Sequence, residues 1–453
     1  MSNTATKLSI KEKIGYGLGD TASHFVWDMV GFWILIFYTD TFGISAAAAG
    51  TIMLIARFWD MISDPLMGII ADKTKSRWGK FRPYILWMAL PYSILAILTF
   101  TTPELGQTGK IIWAGITYFS LMTVFTAINL PYSSLGAVMT ADSYERAGLN
   151  SYRFVFAFIG QLIVSGTAIT LAKYFGNGND ARGYQITIFL FAIVSLILFL
   201  ITFKTTKERI QPPKEQKESL KEDFKNLFKN KPWVILFFAG IISFIMFAIQ
   251  NLSIAYYFKY YIGKEENVQL FNVVGTVALI VTIPFSKLLA KKFGKKNVFI
   301  ASSLISGVFF ILLYLPGEND IISIYVYNIL AKMAYAPAVP LLWTMLADTA
   351  DYSEWKTNRR STGLVFSAAT FAQKAGWGIG GALAGWLLVL FKFVPNEIQS
   401  ATALTGIKLM VSVIPGVLYI TCAVFLFYYN IDKKTCDIMQ SDLEKRRAQE
   451  NSL

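Results

Sequence analysis

Apolar stretches of membrane-spanning length recur along the whole chain. They fall near 15–39, 46–71, 83–102, 109–139, 147–175 and 183–203. After one charged break they resume near 233–262, 268–290, 297–316, 321–347, 361–392 and 404–430. As helices rising about 1.5 Å per residue, such stretches cross a hydrocarbon layer of about 30 Å. In that layer each backbone N–H and C=O must be satisfied within the segment, which selects the helix. Only 16% of the residues are charged and 54% are hydrophobic, against about 25% charged in a soluble domain. The expected fold is an all-α polytopic membrane protein of twelve transmembrane helices. The polar start, MSNTATKLSIKEK, has no short apolar core or small-residue cleavage site, so no signal peptide is expected.

Lys and Arg set the orientation. Lys7, Lys11 and Lys13 precede the first span, and Lys73, Lys75, Arg77, Lys80 and Arg82 lie between the second and third. Further groups follow at Lys291–Lys296, at Lys356–Arg360 and in the C-terminal tail, while the alternate loops DTFGIS and PGENDI lack them. Both termini are therefore expected in the cytoplasm, with the chain multi-pass in the plasma (inner) membrane. The net charge of +13 follows from basic loops beside anionic lipid, so the bilayer, and no nucleic acid, is the expected polar partner. Cys422 and Cys436 offer no disulfide framework or CxxC site, and one histidine, His24, excludes a His-rich zinc site. There is no Gly-rich phosphate loop and no GxSxG elbow. The composition points away from an enzyme or an ATP-driven pump.

Residues 204–231, KTTKERIQPPKEQKESLKEDFKNLFKNK, form the one long polar segment between spans and read as a cytoplasmic linker containing one amphipathic helix. The expected organisation is a six-helix bundle over 1–203, this linker, a second six-helix bundle over 232–430, and a cytoplasmic tail over 431–453. The halves echo each other. GIIADKTKSRWGKFRP after the second span is matched by SKLLAKKFGKKN after the eighth, and VMTADSYERAG after the fourth by TMLADTADYSEWKTNRR after the tenth. Gly68, Asp72, Arg77, Gly79 and Lys80 resemble the signature loop of the major facilitator superfamily, whose members place substrate near the midplane between two six-helix repeats.

Within the second span, RFWDMISDPLMG places Arg57, Asp60 and Asp64 at i, i+3 and i+7, on one helical face. The two carboxylates lie about 6 Å apart along the axis. An acidic side chain at mid-bilayer costs about 2.5–3.5 kcal/mol even on lenient scales, so neither is expected to face lipid. Arg57 can neutralise one of them, leaving the other without a cation on its own helix. Two anionic oxygen groups in a dry cavity suit a small hard cation or a transported proton. A coupling-ion site is the expectation.

FYTD, ARFWDMISDPLMG, SRWGKFRPYIL, NLPYSSL, SYRF and ADTADYSEWKTNRR keep their order along nearly the whole chain, and together they resemble the glycoside–pentoside–hexuronide:cation symporters, the melibiose permease group. The resemblance implies symport of a sugar with Na⁺ or H⁺ by alternating access, no organic cofactor, and a monomer. It places the paired cation-binding aspartates at Asp60 and Asp64, the cation-site threonine at Thr126, the sugar-reaching arginine at Arg153 and a lysine near both sites at Lys374. Three positions depart from the pattern: His24 and Asn129 stand where the family has acids, and Ser133 where it has a sugar-stacking Trp. His24 is thus a packing histidine or a sugar-site donor and acceptor; Asp28, one turn on, orients it or takes the sugar-binding role itself, and Asp20 offers the same from the other side. Asn129 can serve the sugar or the cation. Aromatic faces for the ring are sought at Trp343 first, then at Tyr257 and its neighbours Tyr256 and Tyr260, Trp27 and Trp377.

Lys332, mid-span, has no counterpart in the family pattern and either reaches an interface or meets an acid or an anionic ligand. Because Asp20, Asp28, Asp60 and Asp64 nearly balance the cations, a neutral glycoside is expected ahead of a sugar acid such as a uronide. An amphiphile such as a lysolipid would need a more apolar cavity than Asn129, Arg153, Gln161, Gln250 and Asn251 imply. A sensor or membrane enzyme lacks a signalling domain or catalytic constellation. Asp72, Arg77, Arg146, Asp348, Asp351, Glu354 and Arg360 lie at the cytoplasmic ends, and the acidic run ADTADYSE among basic residues reads as an inner gate. By resemblance, Arg146 pairs with Asp351 and Glu354 in the outward-open state.

Overall fold

A computed structural model describes residues 8–140, 143–209, 227–357 and 362–450. Their regular secondary structure is all helical, with no strand among the described residues. In the first half lie α1 (Ile10–Ile36), α2 (Ala46–Lys73), α3 (Arg82–Thr99), α4 (Gln107–Met139), α5 (Ser143–Gly176) and α6 (Asp180–Thr205). The second half holds α7 (Lys231–Tyr256), α8 (Asn267–Thr282), α9 (Ser286–Phe293), α10 (Lys295–Leu312) and α11 (Ile321–Tyr335). It continues with α12 (Ala338–Thr357), α13 (Thr362–Leu390), α14 (Ala401–Val411), α15 (Val413–Phe427) and α16 (Lys433–Glu450). Ten helical segments among the described residues are long and apolar enough to cross a membrane. The 18-residue α3 and the 29-residue α13 lie between them in the order of the remaining two expected spans.

Side-chain caps start several of these helices where the polypeptide leaves the polar segments. Ser9 and Glu12 form a reciprocal capping box on α1, and Ser45, Asn179, Asn230 and Asp320 each accept from a backbone N–H of the following turn. Such a residue satisfies an amide that the helix itself leaves open. Three expected single spans are broken. A 3₁₀ turn at Ile283–Phe285 contains Pro284, Ala336–Pro337 separates α11 from α12, and Ser412 interrupts the last span three residues before Pro415. Proline lacks the N–H and crowds the carbonyl four residues back. Pro65, Pro91 and Pro131 nevertheless sit inside continuous helices.

The chain divides into two compact units. Unit 1 comprises Met1–Glu215 with Lys264–Leu270 and Gly385–Ser400; unit 2 comprises Gln216–Gly263, Phe271–Ala384 and Ala401–Leu453. Their internal packing repeats. In unit 1, α6 packs on α1 and α3, and α3 on α4; in unit 2, α15 packs on α7 and α10, and α10 on α11. The first helix of each set also ends in a π-helical turn, Phe37–Thr41 and Tyr257–Ile262. Close approach in unit 2 relies on Gly376 and Gly380: a Cβ at Gly380 would lie 2.6 Å from the Ile245 carbonyl oxygen of α7. This small-residue spacing is the usual contact device between membrane helices.

The expected cytoplasmic tail is a helix docked on unit 2. Met439 and Leu443 of α16 are buried, and Trp355 Nε1 donates to Asp442 at 3.1 Å. The amphipathic helix expected within the linker falls on 210–226, outside the described residues.

Candidate functional site

Four helices of unit 1 converge on the charged residues singled out in the sequence. On α2, Arg57 Nη1 donates to Asp60 Oδ2 at 3.0 Å, and both side chains are almost fully buried, at 6% and 1% exposure. The guanidinium lies 4.5 Å from the Trp27 ring centre on α1, whose ring also stacks on Phe125 of α4. Trp27 is thus packed between an arginine and a phenylalanine. Asp64, one turn along, is only partly buried, and its Oδ1 accepts from Thr126 Oγ1 of α4 at 3.1 Å. Asn129, also partly buried, follows on α4.

The two aspartates are therefore unlike. Asp60 belongs to a sealed ion pair, whereas Asp64 joins a neutral hydroxyl and keeps some exposure. A partly exposed carboxylate beside a hydroxyl offers oxygen ligands to a monovalent cation, or a site for a proton. Among the described residues, no three His, Cys, Asp or Glu side chains gather as a metal cluster.

On α1, His24 Nδ1 lies 2.8 Å from Asp28 Oδ2, so Asp28 orients the imidazole. Asp20 is engaged elsewhere, because Arg153 Nε of α5 donates to its Oδ2 at 2.6 Å. The same guanidinium reaches Ser133 Oγ at 3.2 Å and lies 5.2 Å from the Tyr132 ring centre. Ser133, the serine at the position of the family's tryptophan, thus helps to hold the arginine. Close helix contact makes this possible: a Cβ on Gly160 of α5 would stand 2.8 Å from the His24 Cβ.

Unit 2 carries the remaining candidates separately. Trp343 of α12 is partly buried against the apolar core formed with Leu342, Leu346 and Ala369. Tyr257 is 1% exposed and stacks on Tyr261, whose hydroxyl accepts from Lys408 Nζ at 2.8 Å. Lys374 lies partly buried on α13, two residues before Gly376. Of the gate residues, Asp348 forms a 2.7 Å pair with Lys295 at the start of α10. That pair ties the second-half echo of the signature loop to α12. Asp351 and Glu354 follow on α12. Arg77 lies over Trp78 at 4.3 Å. Arg360 and the side chains of Asp72 and Arg146 lie outside the described residues, so the expected pairing of Arg146 with Asp351 and Glu354 falls there too.

Sequence reasoning missed Glu208. Its carboxylate accepts from the backbone N–H groups of Lys80, Phe81 and Arg82 at 2.8, 2.7 and 2.9 Å. Gly79, at φ +109°, turns the chain into this cradle, and a side chain there would meet Glu208 itself. α3 starts without a side-chain cap, and open amides at a helix start require an acceptor, but no pattern in the sequence says which acid supplies it. Replacing Glu208 by Ala is expected to destabilise unit 1 by about 1.5–3 kcal/mol, since charge-assisted hydrogen bonds are lost. A lowered thermal midpoint of the purified protein, with Glu208→Gln intermediate, checks this.

Two sets of packed apolar helices, with carboxylates, two arginines and a histidine held inside the first, define a polytopic membrane carrier. The family model described as MFS/sugar transport protein matches residues 15–433. The chain is 37% identical to a putative glycoside/cation symporter of Escherichia coli, YagG, over 98% of this chain and 96% of that one. It is 34% identical to the isoprimeverose transporter of Lactiplantibacillus pentosus, covering 98% and 93% respectively. Among solved structures, a D-xylose–proton symporter superposes with a TM-score of 0.70 at 14% identity, over 94% of this chain and 98% of that one. That likeness shows the major facilitator fold. The chain belongs to the MFS/sugar transport protein family, and it is a multi-pass membrane transporter, not an enzyme.

Proposed function

We propose that this protein imports a glycoside in symport with Na⁺ or H⁺, working by alternating access with both termini in the cytoplasm. The observation that carries the coupling is the partly exposed Asp64 against Thr126, one turn from the sealed Arg57–Asp60 pair. A cation arriving at Asp64 neutralises the carboxylate and removes the cost of enclosing a charge in a low-dielectric interior. Arg153, held by Asp20 and Ser133, and His24, held by Asp28, present fixed donors to sugar hydroxyls, with Asn129 nearby on α4. Lys374, Trp343 and Tyr257 are the contributions proposed from the second unit. Asp348, Asp351 and Glu354 form the proposed cytoplasmic gate with Asp72, Arg77, Arg146 and Arg360. Kinship with a named putative glycoside/cation symporter supports the substrate class.

The test is sugar-triggered cation movement. Proteoliposomes at zero membrane potential receive a panel of glycosides while internal pH and ²²Na⁺ uptake are followed. The reading expects at least one glycoside to drive inward movement of one of the two ions, blocked in Asp64→Asn. Sugar entry with neither ion moving contradicts it.

A further inference from the structure

Unlike Arg57 and Arg153 of the first unit, Lys332 has no ionic partner among the described residues. It lies in the last turn of α11, inside the membrane-spanning segment Ile321–Lys356, where a cation is costly. Its hydrogen-bond partner is neutral: Nζ donates to Gln250 Oε1 of α7 at 3.2 Å. Two phenyl rings flank it, Phe247 with its centre at 5.4 Å and Phe310 at 5.8 Å. No Asp or Glu among the described residues pairs with it. Of the four acids that nearly balance the cations by count, three sit in ion pairs within unit 1, Asp20 with Arg153, Asp28 with His24 and Asp60 with Arg57, and the fourth, Asp64, accepts from Thr126.

The neighbouring amides add to the imbalance. Gln250, 1% exposed, has its Oε1 on the lysine, which leaves Nε2 buried without an acceptor among the described residues. Asn251, 5% exposed, likewise has Nδ2 buried without an acceptor. A buried donor left unmade costs more than a typical hydrogen bond contributes. One ammonium with unmatched amide donors on the adjoining helix asks for acceptor oxygens and negative charge. A sugar hydroxyl meets only the first need. A carboxylate or sulfonate meets both.

We infer that Lys332, with the Gln250 amide, is a subsite for an anionic oxygen-bearing substituent on the transported sugar. This rests on the glycoside-carrier reading and narrows it. The subsite makes the carrier prefer acidic sugars to neutral ones of the same ring.

Competition tests it, with uptake of whichever labelled sugar the protein carries measured in proteoliposomes. Competitors are methyl β-glucoside, methyl β-glucuronide and methyl 6-deoxy-6-sulfo-glucoside, so that the two acidic arms separate carboxylate from sulfonate. The wild type is expected to favour at least one acidic sugar over the neutral one by about tenfold, the worth of one charge-assisted hydrogen bond. Lys332→Gln should reduce that ratio about tenfold, and Lys332→Arg should retain most of it. If the neutral sugar competes as well as both acidic ones, or Lys332→Gln leaves the ratio unchanged, the subsite is refuted while the carrier reading stands. If no sugar is carried or competes, the carrier reading fails and the subsite fails with it.

Discussion

Replacing Arg57 by Ala is expected to destabilise the folded protein by about 3–5 kcal/mol, the range for breaking a buried ion pair from one side. The reason is the enclosure of its partner: the Asp60 side chain is 1% exposed, and Arg57 sits between that carboxylate and the Trp27 ring. Removing the guanidinium deprives the carboxylate of its cation and the indole of its cover. The double variant Arg57→Gln with Asp60→Asn should recover much of the loss, because it removes both charges while keeping groups that can hydrogen-bond to one another. Thermal unfolding in detergent checks both. A single variant as stable as the wild type would mean that Asp60 draws its stability from elsewhere.

The second large effect is on coupling. Asp64→Asn should abolish uphill accumulation of sugar while leaving sugar exchange across the membrane in place, because the amide keeps the size and the Thr126 contact but cannot take up a cation's charge. Under a tenfold gradient of the coupling ion, a 1:1 symporter can concentrate its sugar about tenfold, equivalent to ~1.4 kcal/mol. The variant should equilibrate at a ratio of about one. Counterflow, in which labelled sugar enters against unlabelled sugar inside, reports the exchange that survives. Loss of counterflow together with accumulation would instead place Asp64 in the translocation step itself.

Much of this was legible in the sequence because lipid imposes few solutions. The apolar runs, the basic loops and the echo of the signature loop each follow from constraints on what can lie in hydrocarbon. Arg57, Asp60 and Asp64 declared themselves by their shared helical face, and the resemblance named Thr126, which stands 3.1 Å from Asp64. What the residues could not say is how two similar aspartates divide. That depends on which one Arg57 reaches and which one α4 meets, a matter of side-chain direction and helix rotation rather than spacing. Asp20 shows the same limit: one turn from His24, it turns instead to Arg153 on another helix. Proline was equally ambiguous, since neighbouring helices can supply what a broken turn lacks. Pro131 remains inside α4, yet Pro337 ends a helix. Glu208 was hidden for a different reason: it lies in a polar segment where one more acid carries no pattern.

The most direct test of the account is accumulation of a labelled glycoside in wild-type proteoliposomes under an imposed Na⁺ or H⁺ gradient, one at a time. Accumulation that follows one of these gradients, and collapses when an ionophore removes it, is the predicted result. Sugar that only equilibrates, whatever the direction or size of either gradient, would contradict the claim that this carrier couples sugar to a cation.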